Sequence, residues 1–211
     1  IAVTLPRGSS LEEAAASFTV PAGAVVTVGG ETQTSGSTRN FTAPVVYVVT
    51  AADGTNASYT VTASLSPSVY IAGNDGKFAV YWKDGVETKL TDGTASAIAN
   101  RIIVSGTDLY IAGFDGNYAV YWKVSADKID EVKLTDGTAE AVATSIALSG
   151  STVYCGGYDG DSAVLWKDGK EITLSVSGSV ISLVIANGDI YACGMSGDYA
   201  AVWKNGNETL L

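Results

Sequence analysis

The sequence contains no histidine. The usual general base near neutral pH, the commonest zinc ligand and any Ser-His-Asp or Cys-His arrangement are therefore missing. Two cysteines, Cys155 and Cys193, define no disulfide framework and lie in no C-x-x-C spacing. Charge is scarce and lopsided: 22 acidic against 12 basic side chains leave a net charge of −10. Such a surface repels a phosphate backbone, so nucleic acid is not an expected partner. The longer apolar stretches, such as Val180 to Ala186, fall far short of the roughly 20 residues that cross a bilayer, and no membrane span is expected. Only four prolines interrupt the chain. No basic, Ser-rich or apolar leader precedes Ile1, and the chain is expected to start after any targeting segment.

What is present is the palette of short strands and tight turns. Hydrophobic residues make up 46% of the 211 positions, and 24 glycines accompany abundant Ser, Thr, Val and Tyr. That composition predicts an all-β protein with ample material for a packed core. Internal repetition then organises most of it. The segments starting at Val69 (VYIAGNDGKFAVYWKDG), Leu109 (LYIAGFDGNYAVYWKV), Val153 (VYCGGYDGDSAVLWKDG) and Ile190 (IYACGMSGDYAAVWKNG) align directly. Each holds a tyrosine (Tyr70, Tyr110, Tyr154, Tyr191), a glycine three residues on, and a Trp-Lys pair nine residues later. The tryptophans Trp82, Trp122, Trp166 and Trp203 are separated by 40, 44 and 37 residues. The differences fall in connections: a longer segment from Val124 to Asp130 and a shortened one from Ser175 to Ser179.

Within one unit the pattern predicts strands near Ile98–Val104, Leu109–Ala112, Tyr118–Lys123 and Glu131–Leu134, a four-stranded meander of the β-propeller blade type. Apolar residues on both faces of the strands imply sheets covered on both sides. The same count gives 15 strands from Val69 to Leu211, one short of four blades, because the first copy lacks the strand equivalent to Ile98–Val104. The segment Tyr59–Ser66, or a strand of another chain, is the expected filler. A closed four-bladed ring, a ring completed by a partner, and an open stack all remain compatible with the count, and an unclosed edge invites homo-oligomerisation.

Residues 1–65 differ in composition, without tryptophan, and form a separate unit in this reading, with 66–211 as the repeat domain. Strands are expected at Ala2–Leu5, Ser17–Val20, Val25–Val28, Val45–Thr50 and Ser58–Ala63. Ser10 and Glu13 have the spacing of a helix-capping box, which predicts a helical turn over Leu11–Ala16. Five strands in this length suggest a small β-sandwich.

The run FTAPVVYVVTAADGTNASYTVT, Phe41 to Thr62, resembles the C-terminal half of immunoglobulin-like domains in surface lipoproteins of Bacteroidetes. The Tyr-Ile-Ala-Gly…Tyr-Trp-Lys units are similar to β-propeller-like repeats in proteins of the same bacteria. This resemblance implies an extracellular or outer-membrane-surface protein, lipid-anchored through a cysteine upstream of Ile1. It carries no activity and no functional residues with it.

Two repeated sets are candidate binding residues. Trp82, Trp122, Trp166 and Trp203 would form a ring of aromatics able to stack on sugar or side-chain faces, unless they wedge between neighbouring blades as repeated tryptophans commonly do. Asp75, Asp115 and Asp159 would offer carboxylates at one mouth, unless each Asp-Gly is only the turn of a hairpin. The fourth copy has Ser196-Gly197, which keeps a turn and loses the carboxylate. Cys155 and Cys193 read as two buried free thiols. Acidic residues such as Glu87, Asp92, Glu131, Asp136 and Glu171 obey the repeat; among those that break it, Asp127 and Asp130 sit in the insertion, read as a solvated loop. No catalytic residue, metal ligand or cofactor site stands out; Gly156-Gly157 follows a strand but opens no helix. The sequence thus points to a non-enzymatic cell-envelope binding or scaffold protein whose propeller loops contact a glycan or protein. A glycan-processing enzyme using the propeller mouth and a structural oligomerisation module are the alternatives.

Overall fold

The computed structural model describes residues 1–126 and 128–211; Asp127 lies outside the described residues. Among the described residues every regular element is a strand and there is no helix. The protein is all-β, and it divides into two compact units, Ile1–Ser68 and Val69–Leu211.

The first unit contains β1 (Ala2–Leu5), β2 (Ala14–Ala15), β3 (Val25–Val28), β4 (Glu31–Thr32), β5 (Thr38–Arg39), β6 (Val45–Thr50) and β7 (Asn56–Leu65). A five-stranded sheet runs in the order β1-β7-β6-β3-β4, with β1 parallel to β7, and β2 pairs with β5. Alternation along β6 turns Val45 and Tyr47 inward and leaves Val46 exposed. Tyr47 lies between Phe18, edge-on at 6.2 Å, and Phe41, stacked at 6.4 Å, and Val26 completes this small core. The helical turn expected over Leu11–Ala16 does not form. Ser10 Oγ does accept the Glu13 N–H at 3.2 Å, but Ala14 and Ala15 pair with Arg39 and Thr38. That pairing takes the backbone groups a helix would need. The strand expected at Ser17–Val20 is also irregular chain.

The second unit is four successive antiparallel sheets, described in chain order. The first holds β8 (Tyr70–Asp75), β9 (Phe78–Lys83) and β10 (Val86–Lys89). The second holds β11 (Ala97–Ser105), β12 (Asp108–Asp115), β13 (Tyr118–Ser125) and β14 (Lys128–Lys133), and the third β15 (Ala141–Ser149), β16 (Thr152–Asp159), β17 (Ser162–Lys167) and β18 (Lys170–Ser175). The fourth holds β19 (Gly178–Ala186), β20 (Asp189–Ser196), β21 (Tyr199–Lys204) and β22 (Asn207–Leu210). The first sheet has three strands and β8 is its edge. Tyr59–Ser66 does not fill the vacancy, because β7 is already paired with β6 on one side and β1 on the other. The described part of the insertion is not a loop: Val124 pairs with Ile129 and Lys123 with Asp130, so β13 and β14 extend into it. Asp130 accepts an ion pair from Lys128 at 2.7 Å.

Each sheet has two unlike faces. One carries the tryptophan, the other the tyrosine of the repeat, and the Trp face of each later sheet packs on the Tyr face of the sheet before it. The first such layer joins Tyr70, Ala79, Tyr81 and Leu90 to Ile111, Val120 and Trp122. The second joins Tyr110, Ala112, Ala119 and Leu134 to Cys155, Val164 and Trp166, and the third joins Tyr154, Ala163 and Leu165 to Val180, Ala192 and Trp203. The lysine after each tryptophan lies over the cross-strand tyrosine ring, Lys83 on Tyr70, Lys123 on Tyr110, Lys167 on Tyr154 and Lys204 on Tyr191, with Nζ 5.3–5.7 Å from the ring centre.

The repeated glycine has a steric cause. The first strands β11, β15 and β19 each carry a bulge, at Ala99/Arg101, Ala143/Ser145 and Val180/Ser182. A Cβ on Gly113, Gly157 or Gly194 would fall on the carbonyl oxygen of Ile98, Val142 or Ser179. Bulge residues then tie one sheet to the next: Asn100 Nδ2 donates to Ala143 O at 3.1 Å and Thr144 Oγ1 to Val180 O at 2.7 Å. Gly73, whose sheet lacks that strand, would meet only Trp82, at 3.1 Å.

Trp122→Ala is expected to cost about 3–5 kcal/mol in chemical denaturation, the range for emptying a large aromatic site, and half-buried Trp82→Ala clearly less. In the same assay Gly157→Ala should destabilise far more than Gly73→Ala. Equal losses within either pair would contradict the layered packing.

Candidate functional site

The hairpins β8-β9, β12-β13, β16-β17 and β20-β21 all turn at the same end of their sheets, and this end collects the repeated aspartates. Gly76, Gly116, Gly160 and Gly197 have φ of 59°, 61°, 55° and 55°, each the first residue of a two-residue loop of the II′ kind. The aspartate before the glycine is the last strand residue, not a turn residue: Asp75 pairs with Phe78, Asp115 with Tyr118 and Asp159 with Ser162. At the opposite end the hairpins do use their polar residue in the turn. Asp84, Asp168 and Asn205 sit at φ of 54°, 47° and 52°, and each side-chain oxygen accepts the N–H of Val69, Val153 or Ile190 at 2.8–2.9 Å. Turn chemistry thus explains one set of repeated acids and leaves Asp75, Asp115 and Asp159 without that explanation.

The second sheet shows the most developed version of this rim. Lys133 Nζ stands 3.6 Å over the Tyr118 ring, and Gly137, at φ 76°, has no side chain because one would strike that ring. The first sheet repeats the arrangement with Lys89 at 3.6 Å over Phe78, and a Cβ on Gly93 would likewise strike that ring. Asp92 and Asp136 brace the adjoining T-D-G-T turns; each Oδ1 accepts from a threonine N–H at 2.9 Å and its hydroxyl at 2.7 Å. Those bonds hold both carboxyls below their ordinary range, the Thr94 N–H foremost for Asp92 and the Thr138 hydroxyl for Asp136. Asp115 is pushed the other way: partial burial raises it, the charge of Asp92 adds to the rise, and Lys133 opposes it. On the third sheet Tyr158 donates its hydroxyl to Glu140 at 3.4 Å.

Asp75 is exposed, while Asp115 and Asp159 are partly so. They stand on separate sheets, and no group of three His, Cys, Asp or Glu with metal-holding geometry occurs among the described residues. Trp122, Trp166 and Trp203 are 0%, 0% and 1% exposed, so their ring faces are taken up by the preceding sheet and offer nothing to a ligand. Only Trp82, half-buried on the free face of the first sheet, keeps an open side. Cys155 is buried and burial pushes its thiol up; Cys193 is exposed, contrary to the expectation of two buried thiols. The first unit also contains an apolar cleft of about 540 Å³ lined by Val3, Phe18, Val26, Tyr47, Tyr59 and Val61.

The comparisons with known proteins bear on the first unit. Residues 1–63 match the family described as SGBP, N-terminal. The SGBP family is one of Bacteroidetes surface glycan-binding proteins. No curated protein matches the chain. Among solved structures, an acylaminoacyl peptidase of Pyrococcus horikoshii is similar over 79% of this chain at 13% identity and a TM-score of 0.39, and this chain spans 30% of that one. A candidate glycoside hydrolase from Bacteroides thetaiotaomicron is similar over 99% of this chain and 75% of its own, at 15% identity and a TM-score of 0.26. Neither likeness is close enough to carry an argument. No helix among the described residues is long and apolar enough to cross a membrane.

A carboxyl held above its ordinary range binds a proton more readily in the folded than in the unfolded chain, so its ionisation removes stability as pH rises through the folded pKa. Asp115→Asn is therefore expected to raise Tm at neutral pH, with the gain shrinking as pH falls through that pKa. A thermal-denaturation series across pH checks this; a gain that persists in acid, or none at neutral pH, contradicts it.

Proposed function

We propose that this chain is a non-enzymatic glycan-binding protein of a bacterial outer surface, with an immunoglobulin-like unit, residues 1–65, carrying a propeller-like unit, residues 66–211. The observation that carries the reading is the match of residues 1–63 to the SGBP N-terminal family. The same proposal has the protein tethered by a lipidated cysteine upstream of Ile1.

The ligand surface in this reading is the hairpin rim, and its chemistry suits a sugar. Carboxylates accept hydrogen bonds from vicinal hydroxyls, and ring faces cover the apolar C–H side of a pyranose. On the second sheet the two kinds stand as cross-strand neighbours, Asp115 and Tyr118, with the Lys133 ammonium already seated on one side of the ring. On the first sheet the pair is Asp75 and Phe78. The net charge of −10 favours a neutral over an acidic glycan.

Isothermal titration against a panel of neutral polysaccharides should find at least one ligand. Asp115→Ala and Tyr118→Ala should each weaken it by roughly tenfold or more, about 1.4 kcal/mol per factor of ten, while circular dichroism reports an unchanged fold. Retained affinity in both variants would move the site off the rim, and no binding to any glycan would overturn the reading. Incubation with the bound glycan should release no reducing ends; release would favour the glycan-processing alternative.

A further inference from the structure

The two ends of the sheet row expose residues whose equivalents at internal positions are buried or partly buried. The Trp face of the first sheet presents Ile71, 55% exposed; its equivalents on the next two sheets, Ile111 and Cys155, are 0% and 1% exposed inside the layers. Val69 is 50% exposed where Leu109 and Val153 are buried. The Tyr face of the fourth sheet presents the exposed Ala200, whose equivalents Ala79, Ala119 and Ala163 are 0% exposed. It also presents the exposed Cys193 in place of buried Ala112, and Val184 at 57%.

One end is therefore a Trp face without the Tyr face that it packs on elsewhere, and the other is the reverse. The three internal layers demonstrate that these faces fit each other. We propose that the ends are the two halves of one interface and that this chain associates head to tail with a second copy, the Tyr face of the fourth sheet in one copy covering the Trp face of the first sheet in the other. The interface continues the register of the established layers and uses residues of the same size and polarity. It is heterologous, so the dimer still offers one free face at each end, and growth past the dimer follows unless the assembly closes. The first sheet brings only three strands to this contact, so the new layer is smaller than the internal ones.

The test is sedimentation of the 211-residue chain over about a hundredfold range of concentration, since association shifts by mass action. Concentration-dependent dimers and larger species are expected. Ile71→Lys and Val184→Lys each place a charge on one exposed end face and should leave the chain monomeric with an unchanged thermal melt. Mixing the two variants restores one intact Trp face and one intact Tyr face in different molecules, and should yield dimers that grow no further. A wild-type chain that stays monomeric throughout, a variant that still self-associates, or a mixture that remains monomeric overturns the proposal.

Discussion

The second unit depends on one contact repeated three times: the indole of one sheet set against the tyrosine and alanine face of the sheet before it. A four-stranded sheet with apolar residues on both faces cannot bury either of them alone, so each sheet is stable only as a neighbour. Trp122, Trp166 and Trp203 fill these layers at 1% exposure or less, and small residues at Ala79, Ala119 and Ala163 give the rings room. The rest of the repeat follows from holding the layers at a fixed spacing. Each of β11, β15 and β19 carries a bulge, the glycine across from it leaves room for a carbonyl oxygen that a Cβ would strike, and Asn100 and Thr144 hydrogen-bond the next first strand.

Much of this was legible because the repeat aligns the same physical demand four times over. Strand positions, the hairpin insertion site and the absence of a fourth strand in the first sheet all follow from alternation and spacing. What failed did so where local signals competed with pairing at a distance. Ser10 and Glu13 make the contact that a capping box would make, yet two alanines committed to β5 outweigh it. The segment around Tyr59 has the right pattern for the vacant strand, and pattern does not say that both its edges are already occupied. The exposure of Cys193 was not readable either, because its environment is fixed by a neighbour that the fourth sheet lacks.

The rim was half legible. Asp75, Asp115 and Asp159 are visible as a repeated set, and the hairpin expected at each Asp-Gly forms with its glycine at positive φ. The II′ geometry puts glycine in the loop and the acid on the strand, which changes what the acid is for. The position of the rings beside them varies through Phe78, Tyr118, Ser162 and Tyr199, so it does not register as a motif.

A carboxyl that is partly buried, near another carboxyl, and not required by its turn runs against the stability of its own sheet, and local conflicts of this kind concentrate at functional positions. Asp115 fits that description; Asp92 does not, being braced by Thr94 on both its backbone and hydroxyl. On the proposed glycan reading the distinction assigns different roles to two acids of the same rim, one building the platform and the other facing the ligand. Repetition then adds a further consequence. A polymeric glycan bound at one sheet is held at high effective concentration beside the next, so individually weak pairs such as Asp75 with Phe78 and Asp115 with Tyr118 gain in avidity when the chain spans both. Selectivity for long over short oligosaccharides would follow from the spacing of the sheets without any one of them forming a deep pocket.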